Sequence, residues 1–459
     1  MSFLSLFLSK QIQFNRFELL DLVFKLKTFQ NLNNGFKIII FTFFFISINS
    51  YAEDYFWVGN SGNWSDFANH WSVSSGGSSM HSSVPGIDDN VFFDQNSFNV
   101  LSSVVLDLSI MQCKSFDCST ITSPSNIIGA SSSVLEVYGD WNSSPIISNA
   151  FLGQITFASG SSSFIKSEGI PFQGQINFDG IGSWELKDNF NTLGKLKIIK
   201  GSLATGDAAQ LLSGSFNVTC LGLFINGVKP RTLKAGTSTF TITGADTAFI
   251  FSPVNLFLYE ELATFKFTNI GVDTVRYFSS GVTDTITNLN IASSTILFED
   301  ESAFKNIVSV PGSGIVIKEK KTLSTNSLSI DGTCSLVSVL SSSSSDTALL
   351  KVVGGATINY NSIKGINAVS GSYVANNSFD NGANKGWVIN EIASNGYVYW
   401  TANGANDNWS NPDNWSTNCI PGPNDTVVFN SASFTTNNQI VNLDIDGYAY
   451  AVRWEGTTN

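Results

Sequence analysis

The sequence predicts an all-β protein whose main architecture is a parallel β-helix, or β-solenoid, with an aromatic module at the start of each repeat. Charged residues make up only 13% of the chain, and there are 38 glycines and 37 phenylalanines but only 10 prolines in 459 residues. This composition favours strands joined by frequent turns over helices. Short apolar steps also recur along the middle of the chain. A solenoid can extend over 459 residues without a single large core, because each repeat packs only on its neighbours.

A Leu-x-Ile step recurs between residues 196 and 330 and usually precedes Gly, Asn or Ser. A strand with two inward apolar residues that ends in a turn is the pattern of one solenoid coil. The spacing of the steps is irregular, but a β-sandwich, the alternative, would need longer strict alternation. We therefore assign residues 128–390 to a β-solenoid region. The steps are Leu196/Ile198, Leu223/Ile225, Leu289/Ile291 and Leu328/Ile330.

An aromatic segment precedes this region and returns after it. "FWVGNSGNWSDFANHWS" followed by "VPGIDDNVFFD" matches "YWTANGANDNWSNPDNWS" followed by "IPGPNDTVVFN". We assign residues 53–127 to a first aromatic module and residues 397–459 to a second. The second match stops early, which predicts a truncated module from a longer tandem array. The aligned tryptophans are Trp57 with Trp400, Trp64 with Trp409, and Trp71 with Trp415.

The tryptophans of the first aromatic module are seven residues apart, which would place them on one stripe of a helix. Gly and Asn fill the intervals and favour turns, so a helix is not predicted. Two interpretations remain. In the first, the indoles form a glycan-binding site and stack on sugar rings. In the second, they cover the apolar end of a stacked coil as a plug, because the terminal repeat of a solenoid must be capped. The plug is favoured because we expect an aromatic module to precede a solenoid each time.

The densest group of carboxylates near the aromatic modules is Asp88, Asp89 and Asp94. Only Asp89 persists in the second copy, as Asp425, in a Pro-Gly-x-x-Asp turn before a strand. The favoured role is to accept backbone N–H groups of that turn. Calcium binding and catalysis are the alternatives, although the ligand spacing of an EF-hand loop is absent. No other cofactor is predicted.

The histidines do not predict nucleophilic catalysis. His70 matches Asn414 in the second copy, and His81 lies in a Ser/Gly-rich insertion that the second copy lacks. Because the second copy of the module lacks both histidines, a catalytic role for either is not expected.

The five cysteines predict disulfides rather than a metal site. They allow at most two bridges in an exported chain, and Cys113 with Cys118 is the nearest local pair. The CxxC pairs of a zinc site are absent.

Residues 1–52 have the layout of a secretory signal with an unusually long amino-terminal part. Lys37 precedes an apolar run, residues 38–48, and Ser50-x-Ala52 provides a cleavage site after Ala52. The run is about half of the ~20 residues that a spanning helix needs, so a retained membrane tether is the less favoured alternative. We expect no stable membrane span in the mature chain. Residues 1–36 imply either an extended signal or a start codon assigned too early.

The predicted mature chain is acidic. Removal of residues 1–52 leaves 19 basic and 34 acidic residues, a formal net charge of −15. Such a surface repels phosphate backbones, which argues against nucleic-acid binding.

The aromatic motifs, with "FDGIGSWELKDNFNTLGKLKIIKGSLATGD" (178–207) and "ANNSFDNGANKGW" (375–387), resemble the repeat unit of large secreted adhesin-like bacterial surface proteins. The resemblance covers nearly everything after Ala52. It implies arrayed β-helical modules, surface display and adhesion, with no catalytic residues to carry over, and in some members export by the type IX route. The second aromatic module departs from the pattern at residues 401–404, and no sorting domain precedes Asn459, so the export route stays open.

The function we expect is that of an exported adhesin, or of a structural component of the cell envelope or matrix, without catalysis. Its partners would be polysaccharides or other surface ligands, held by many weak polar contacts multiplied by repetition. The alternative is a polysaccharide lyase or hydrolase, or a carbohydrate-binding β-helix.

Overall fold

The computed structural model describes residues 52–456, apart from 208–213, 252–254, 260–261, 269–273, 280–285, 293–294, 435 and 446. The described chain folds into a β-solenoid of about 14 turns, built from parallel sheets. The predicted all-β solenoid is therefore confirmed. Residues 1–51, which hold the predicted signal, lie outside the described residues. Three strand positions recur in each coil of the first half, and we name the sheets that they form sheets I, II and III.

Sheet I runs along most of the solenoid. Met111 pairs with Leu135, Leu135 with Ile155, and Ile155 with Ile176, so buried side chains stack rung upon rung. The strands of this sheet are Ile110–Cys113, Val134–Val137, Gln154–Phe157, Ile176–Leu186, Lys195–Ala204, Gly222–Ile225, Asp246–Phe251, Thr274–Ser279, Thr295–Phe298, Gly314–Ile317, Ser338–Ser342, Asn361–Lys364 and Ser372–Asp380.

Sheet II begins in the first aromatic module. Val91 pairs with Phe116, Phe116 with Trp141, and Trp141 with Ile165, which again stacks buried side chains. Two long strands, Ile176–Leu186 and Lys195–Ala204, belong to sheet I at their start and to sheet II at their end. The other strands are Asp54–Trp57, Asn90–Phe92, Ser115–Asp117, Trp141–Asn142, Ser162–Lys166, Arg231–Lys234 and Leu256–Tyr259.

Sheet III fills the remaining position of the coil in two successive parts. The first part is Gly62–Asn63, Ser102–Leu106, Ser125–Gly129 and Ile147–Phe151. The second part is Phe190–Asn191, Val218–Cys220, Thr239–Ile242, Thr264–Phe267, Ile286–Ile291, Ser302–Ser309, Thr322–Ser329, Ala348–Val352 and Ile366–Ala368.

The Leu-x-Ile steps belong to two different sheets. Leu196 pairs with Leu223 in sheet I, whereas Leu289 and Leu328 lie on one ladder of sheet III. Their irregular spacing in the sequence follows from this change of sheet.

Beyond these sheets, Gly355–Asn359 pairs with Ser372–Asp380, and that strand pairs with Trp387–Glu391. The first aromatic module adds a four-residue helix, Phe67–His70, and an antiparallel strand, Trp71–Ser72. The second aromatic module contains the parallel strands Tyr397–Tyr399, Thr426–Asn430 and Ala451–Glu455 and a 3₁₀ turn, Pro412–Asn414.

The two aromatic modules differ in how they join the core. Buried side chains from Tyr55 to Ala375 form one continuous apolar cluster, so the first module shares its core with the coils that follow it. The second module has its own small cluster, which extends from Val398 to Phe434.

Aromatic rings stack along the solenoid interior. Phe116 lies on Trp141 with ring centroids 4.3 Å apart, and Phe172 lies on Phe190 at 5.1 Å. A buried aromatic side chain removes about 150–250 Å² from water. The many phenylalanines therefore supply much of the apolar surface that the solenoid buries.

Candidate functional sites

The first aromatic module holds its three tryptophans in one cluster. Trp57 ends a strand, and Trp71 lies opposite it on the antiparallel strand. The ring of Trp71 is edge-on to Trp57 at 4.9 Å and to Trp64 at 4.8 Å, measured between centroids. The edge of one ring thus meets the face of the next, the geometry that aromatic quadrupoles favour.

The second aromatic module rebuilds this cluster. The ring of Trp415 is edge-on to Trp400 at 4.8 Å and to Trp409 at 4.6 Å. The aligned residues therefore occupy equivalent places in the two modules.

All six indoles are buried, although Trp409 borders an open apolar groove. Their exposed fractions lie between 0% and 6%. Sugar stacking requires an accessible ring, so the glycan-stacking interpretation does not fit the structure, and these rings form part of the apolar core of each aromatic module. The residues are Trp57, Trp64, Trp71, Trp400, Trp409 and Trp415.

His70 and Asn414 fill the same buried polar position of the two aromatic modules. The Nδ1 of His70 lies 2.7 Å from the carbonyl oxygen of Val58, and its ring stacks on Trp57. Asn414 donates from Nδ2 to the carbonyl oxygen of Asn406 at 2.7 Å. Both side chains satisfy backbone groups inside their module, which is a structural role.

Asp89 and Asp425 close equivalent turns. The carboxylate of Asp89 accepts the N–H of Gly86 at 2.8 Å and that of Glu53 at 3.0 Å. The carboxylate of Asp425 accepts the N–H of Gly422 at 2.8 Å and that of Asn395 at 2.5 Å. Each aspartate therefore links its turn by hydrogen bonds to the residues that precede the module. This agrees with the predicted role as an acceptor of backbone N–H groups of the turn.

A second pair of equivalent Ser–Asp contacts, which the sequence did not predict, recurs in the two aromatic modules. The backbone N–H of Ser65 donates to Asp107 at 2.9 Å, and that of Ser410 donates to Asp444 at 3.0 Å, with the serine hydroxyl bound to the other carboxylate oxygen in each case. The signal was the recurrence of Asp in "VVLDL" and "NLDI", which align in the two copies.

The outer face of sheet I carries a ladder of polar side chains on successive rungs. Adjacent strands of a sheet lie about 4.8 Å apart, so each coil adds one side chain at a fixed interval. We call this row the sheet I ladder. It consists of Gln112, Glu136, Thr156, Asn177 and Lys197. Gln112, Glu136 and Lys197 are partly exposed, whereas Thr156 and Asn177 are buried and bonded to the side chains of Gln154 and Gln175.

Hydrogen bonds hold the sheet I ladder and its neighbours in place. Gln112 donates to the carboxylate of Glu136 at 2.8 Å, and the Tyr138 hydroxyl donates to it at 2.9 Å. Burial, and then this hydrogen bond, raise the pKa of Tyr138 to about 12. Gln175 donates to Gln154 at 3.0 Å. The row is therefore an ordered array of amide, hydroxyl and carboxylate groups.

The sheet I ladder ends at a basic residue, Lys197, where polar side chains give way to apolar ones. The ammonium groups of Lys195 and Lys197 lie 5.1 and 5.8 Å from the ring centre of Phe224, within cation–π range. The next two rungs are Phe224 and Ile250, so the polar row ends at Lys197.

The cysteines contradict the predicted local pair. Cys334 and Cys419 form a disulfide, whereas Cys113, Cys118 and Cys220 are buried free thiols. Cys113 and Cys118 face the core of adjoining sheets, where burial raises the pKa of both thiols. The short spacing of "CKSFDC" reflects a corner between sheets I and II and not a bridge.

The second aromatic module has an open apolar groove of about 390 Å³, lined by Trp409, Phe429, Phe434, Gln439, Val441, Leu443, Val452 and Trp454. In the first module the strands Ser125–Gly129 and Trp141–Asn142 cover the equivalent place, because they pair with Ser102–Leu106 and Ser115–Asp117.

Within the described ranges, no group of three His, Cys, Asp or Glu side chains is arranged to hold a metal ion. In the same part of the chain, no helix has the length and apolarity needed to cross a membrane.

Comparison with protein-family models, with curated proteins and with solved structures gives no match for this chain. The resemblance to adhesin-like surface proteins therefore depends on the sequence motifs and on the β-solenoid fold.

Proposed function

We propose that this chain is an exported repeat protein that acts, without catalysis, as an adhesin or as a structural component of the cell envelope or matrix. The observation that carries the proposal is the sheet I ladder. The outer face of sheet I holds polar groups on successive coils at a fixed spacing, so a repetitive ligand such as a polysaccharide would meet polar contacts at regular intervals. Many weak contacts then add up through multivalency.

Two further observations support export. The disulfide between Cys334 and Cys419 is of a kind that forms and persists in oxidising compartments outside the cytosol. The acidic balance of the chain, with 36 acidic and 24 basic residues, suits solubility in such surroundings.

The first test is location. Intact cells that express the full chain are treated with protease or with an antibody against the solenoid. We expect the chain to be cleaved or labelled without lysis, and labelling only after lysis would contradict surface display.

The second test is ligand binding. Purified residues 53–459 are passed over immobilised neutral and acidic polysaccharides. We expect the double substitution Gln154→Ala and Gln175→Ala to weaken binding at least fivefold, because these amides lie beside the ladder. The matched control replaces two outward threonines on adjacent strands of sheet III, Thr239→Ala and Thr264→Ala, and should bind normally.

The same incubations separate the proposal from the enzymatic alternative. New reducing ends or unsaturated products, lost on Asp89→Asn, would contradict the non-catalytic role. Equal binding of both double variants would show that the ligand does not contact the outer face of sheet I at Gln154 and Gln175.

A further inference from the structure

Few contacts join the solenoid to the second aromatic module. The two sides have separate apolar clusters, and the connecting residues 392–396 are exposed apart from Ile392, which is half-buried. Across the junction, Phe379 stacks on Tyr448 at 5.1 Å, and the Tyr448 hydroxyl donates to Asn381 at 2.8 Å. Asn424 of the module also donates to the carbonyl oxygen of Ile392 at 3.1 Å. These few contacts hold the second module less firmly than a shared apolar core would.

A loop of the solenoid, residues 331–337, is anchored firmly to the next coil. The carboxylate of Asp331 accepts the backbone N–H of Asn359 at 2.7 Å and its side-chain amide at 3.1 Å. The N–H of Gly332 donates to the carbonyl oxygen of Asn359 at 2.8 Å. The position of this loop is therefore fixed by the solenoid itself.

The anchored loop carries Cys334 to the second aromatic module. Cys334 is bonded to Cys419, with Cα atoms 5.1 Å apart, and the N–H of Ile420 donates to the carbonyl oxygen of Cys334 at 3.4 Å. In the first module Ser83 stands where the second has Cys419, and its hydroxyl contacts Tyr55 instead. The cysteine is thus specific to the module that follows a solenoid.

We propose that loop 331–337 and its disulfide form a covalent brace that fixes the second aromatic module on the preceding solenoid and bypasses the exposed connection. The brace closes after both parts have folded. The Cys334 thiolate attacks the disulfide of an exported thiol–disulfide oxidoreductase, and the Cys419 thiolate then displaces that enzyme from the mixed disulfide. Two protons leave the cysteines, and two electrons reduce the oxidoreductase to its dithiol.

The inference rests on the proposed function only through the oxidising compartment, and purified protein tests it directly. The chain is stretched from its two ends in a single-molecule force experiment, with and without a mild reductant. The bond spans 85 residues, so reduction should add about 280–300 Å of extensible chain. An unchanged length on reduction would overturn the brace.

A second measurement asks whether the bond holds the second module in position. Backbone hydrogen exchange is compared between the native chain and a Cys334→Ser, Cys419→Ser variant. We expect the N–H of Ile420, at the junction, to exchange at least tenfold faster in the variant. The N–H of Trp409, which bonds Asn442 inside the module, should not change. Unchanged exchange at Ile420 would contradict the positioning role.

The control variant is Cys220→Ala, which removes a buried free thiol and leaves the brace intact. If the double serine variant does not fold, mild reduction of the native chain provides the same comparison, because the remaining thiols are already reduced. Free thiols at Cys334 and Cys419 in protein recovered from the cell surface would overturn the brace alone. Absence from the surface would count against the proposed function alone.

Discussion

The indole nitrogen of Trp71 donates a hydrogen bond to the backbone carbonyl oxygen of Trp64 at 2.9 Å, which fixes the mutual angle of the two rings. Trp415 makes the same bond to Trp409, also at 2.9 Å. The two aromatic modules differ in many of the intervening residues, yet they keep this bond. The tryptophans therefore define one buried cluster that the chain builds twice.

Replacement of Trp71 by alanine should destabilise the protein by about 3–5 kcal/mol, because a large buried ring leaves a cavity. Trp71→Phe keeps an aromatic ring but loses the hydrogen bond and should cost less. Denaturation followed by circular dichroism measures both effects. Trp454→Ala is the control, because that ring is 62% exposed. A loss for Trp454→Ala equal to that for Trp71→Ala would contradict the core role of Trp71.

The turn role of Asp89 predicts that Asp89→Asn lowers stability by about 1–2 kcal/mol, since one of two charge-assisted hydrogen bonds is lost. Asp425→Asn should lower stability by a similar amount. Asp88→Asn, at an exposed position of the same turn, is the matched control and should have little effect.

The same variants test calcium. A ligand that binds only the folded state raises the melting temperature. For a purely structural turn, millimolar calcium should leave the melting temperature of the native chain unchanged. A rise that disappears in Asp89→Asn would favour the calcium alternative.

The sequence predicted features whose cause is local. Strand and turn composition determined the fold class, and the repeated aromatic motif identified the turn role of Asp89 and Asp425. The bridge between Cys334 and Cys419 was not predictable, because it joins residues 85 positions apart that only the stacking of coils and module brings together. The face to which a tryptophan points also needed the structure, since burial and sugar stacking use the same residue type.

The free thiols should resist alkylation in the folded protein. Burial raises the pKa of Cys220 to about 12, compared with about 9 for an accessible thiol. At pH 8.5 iodoacetamide should leave Cys113, Cys118 and Cys220 unmodified, and all three should react after unfolding. Mass spectrometry counts the adducts. Rapid reaction of any of them in the folded chain would contradict its core position.

The raised pKa of Cys220 also predicts a dependence of stability on pH. The folded state keeps the thiol proton that the unfolded chain releases above about pH 9. This contribution is therefore fully present below about pH 9 and is lost as the pH rises towards 12. Denaturation midpoints of the native chain should fall between pH 8 and 10 by more than those of Cys220→Ala. Parallel curves would contradict this assignment.

Glycines at one corner of the solenoid allow successive coils to approach closely. A Cβ atom on Gly174 would lie 1.8 Å from the carbonyl oxygen of Gly153, and one on Gly194 would lie 2.3 Å from that of Gly174. Because backbone blocks the added atom, Gly174→Ala must separate two coils and should cost about 1–3 kcal/mol or more. Gly160→Ala is the control, since its nearest neighbour would be 4.0 Å away. Thermal unfolding should show a lower melting temperature for Gly174→Ala only, and equal values would mean that the coils can shift at no cost.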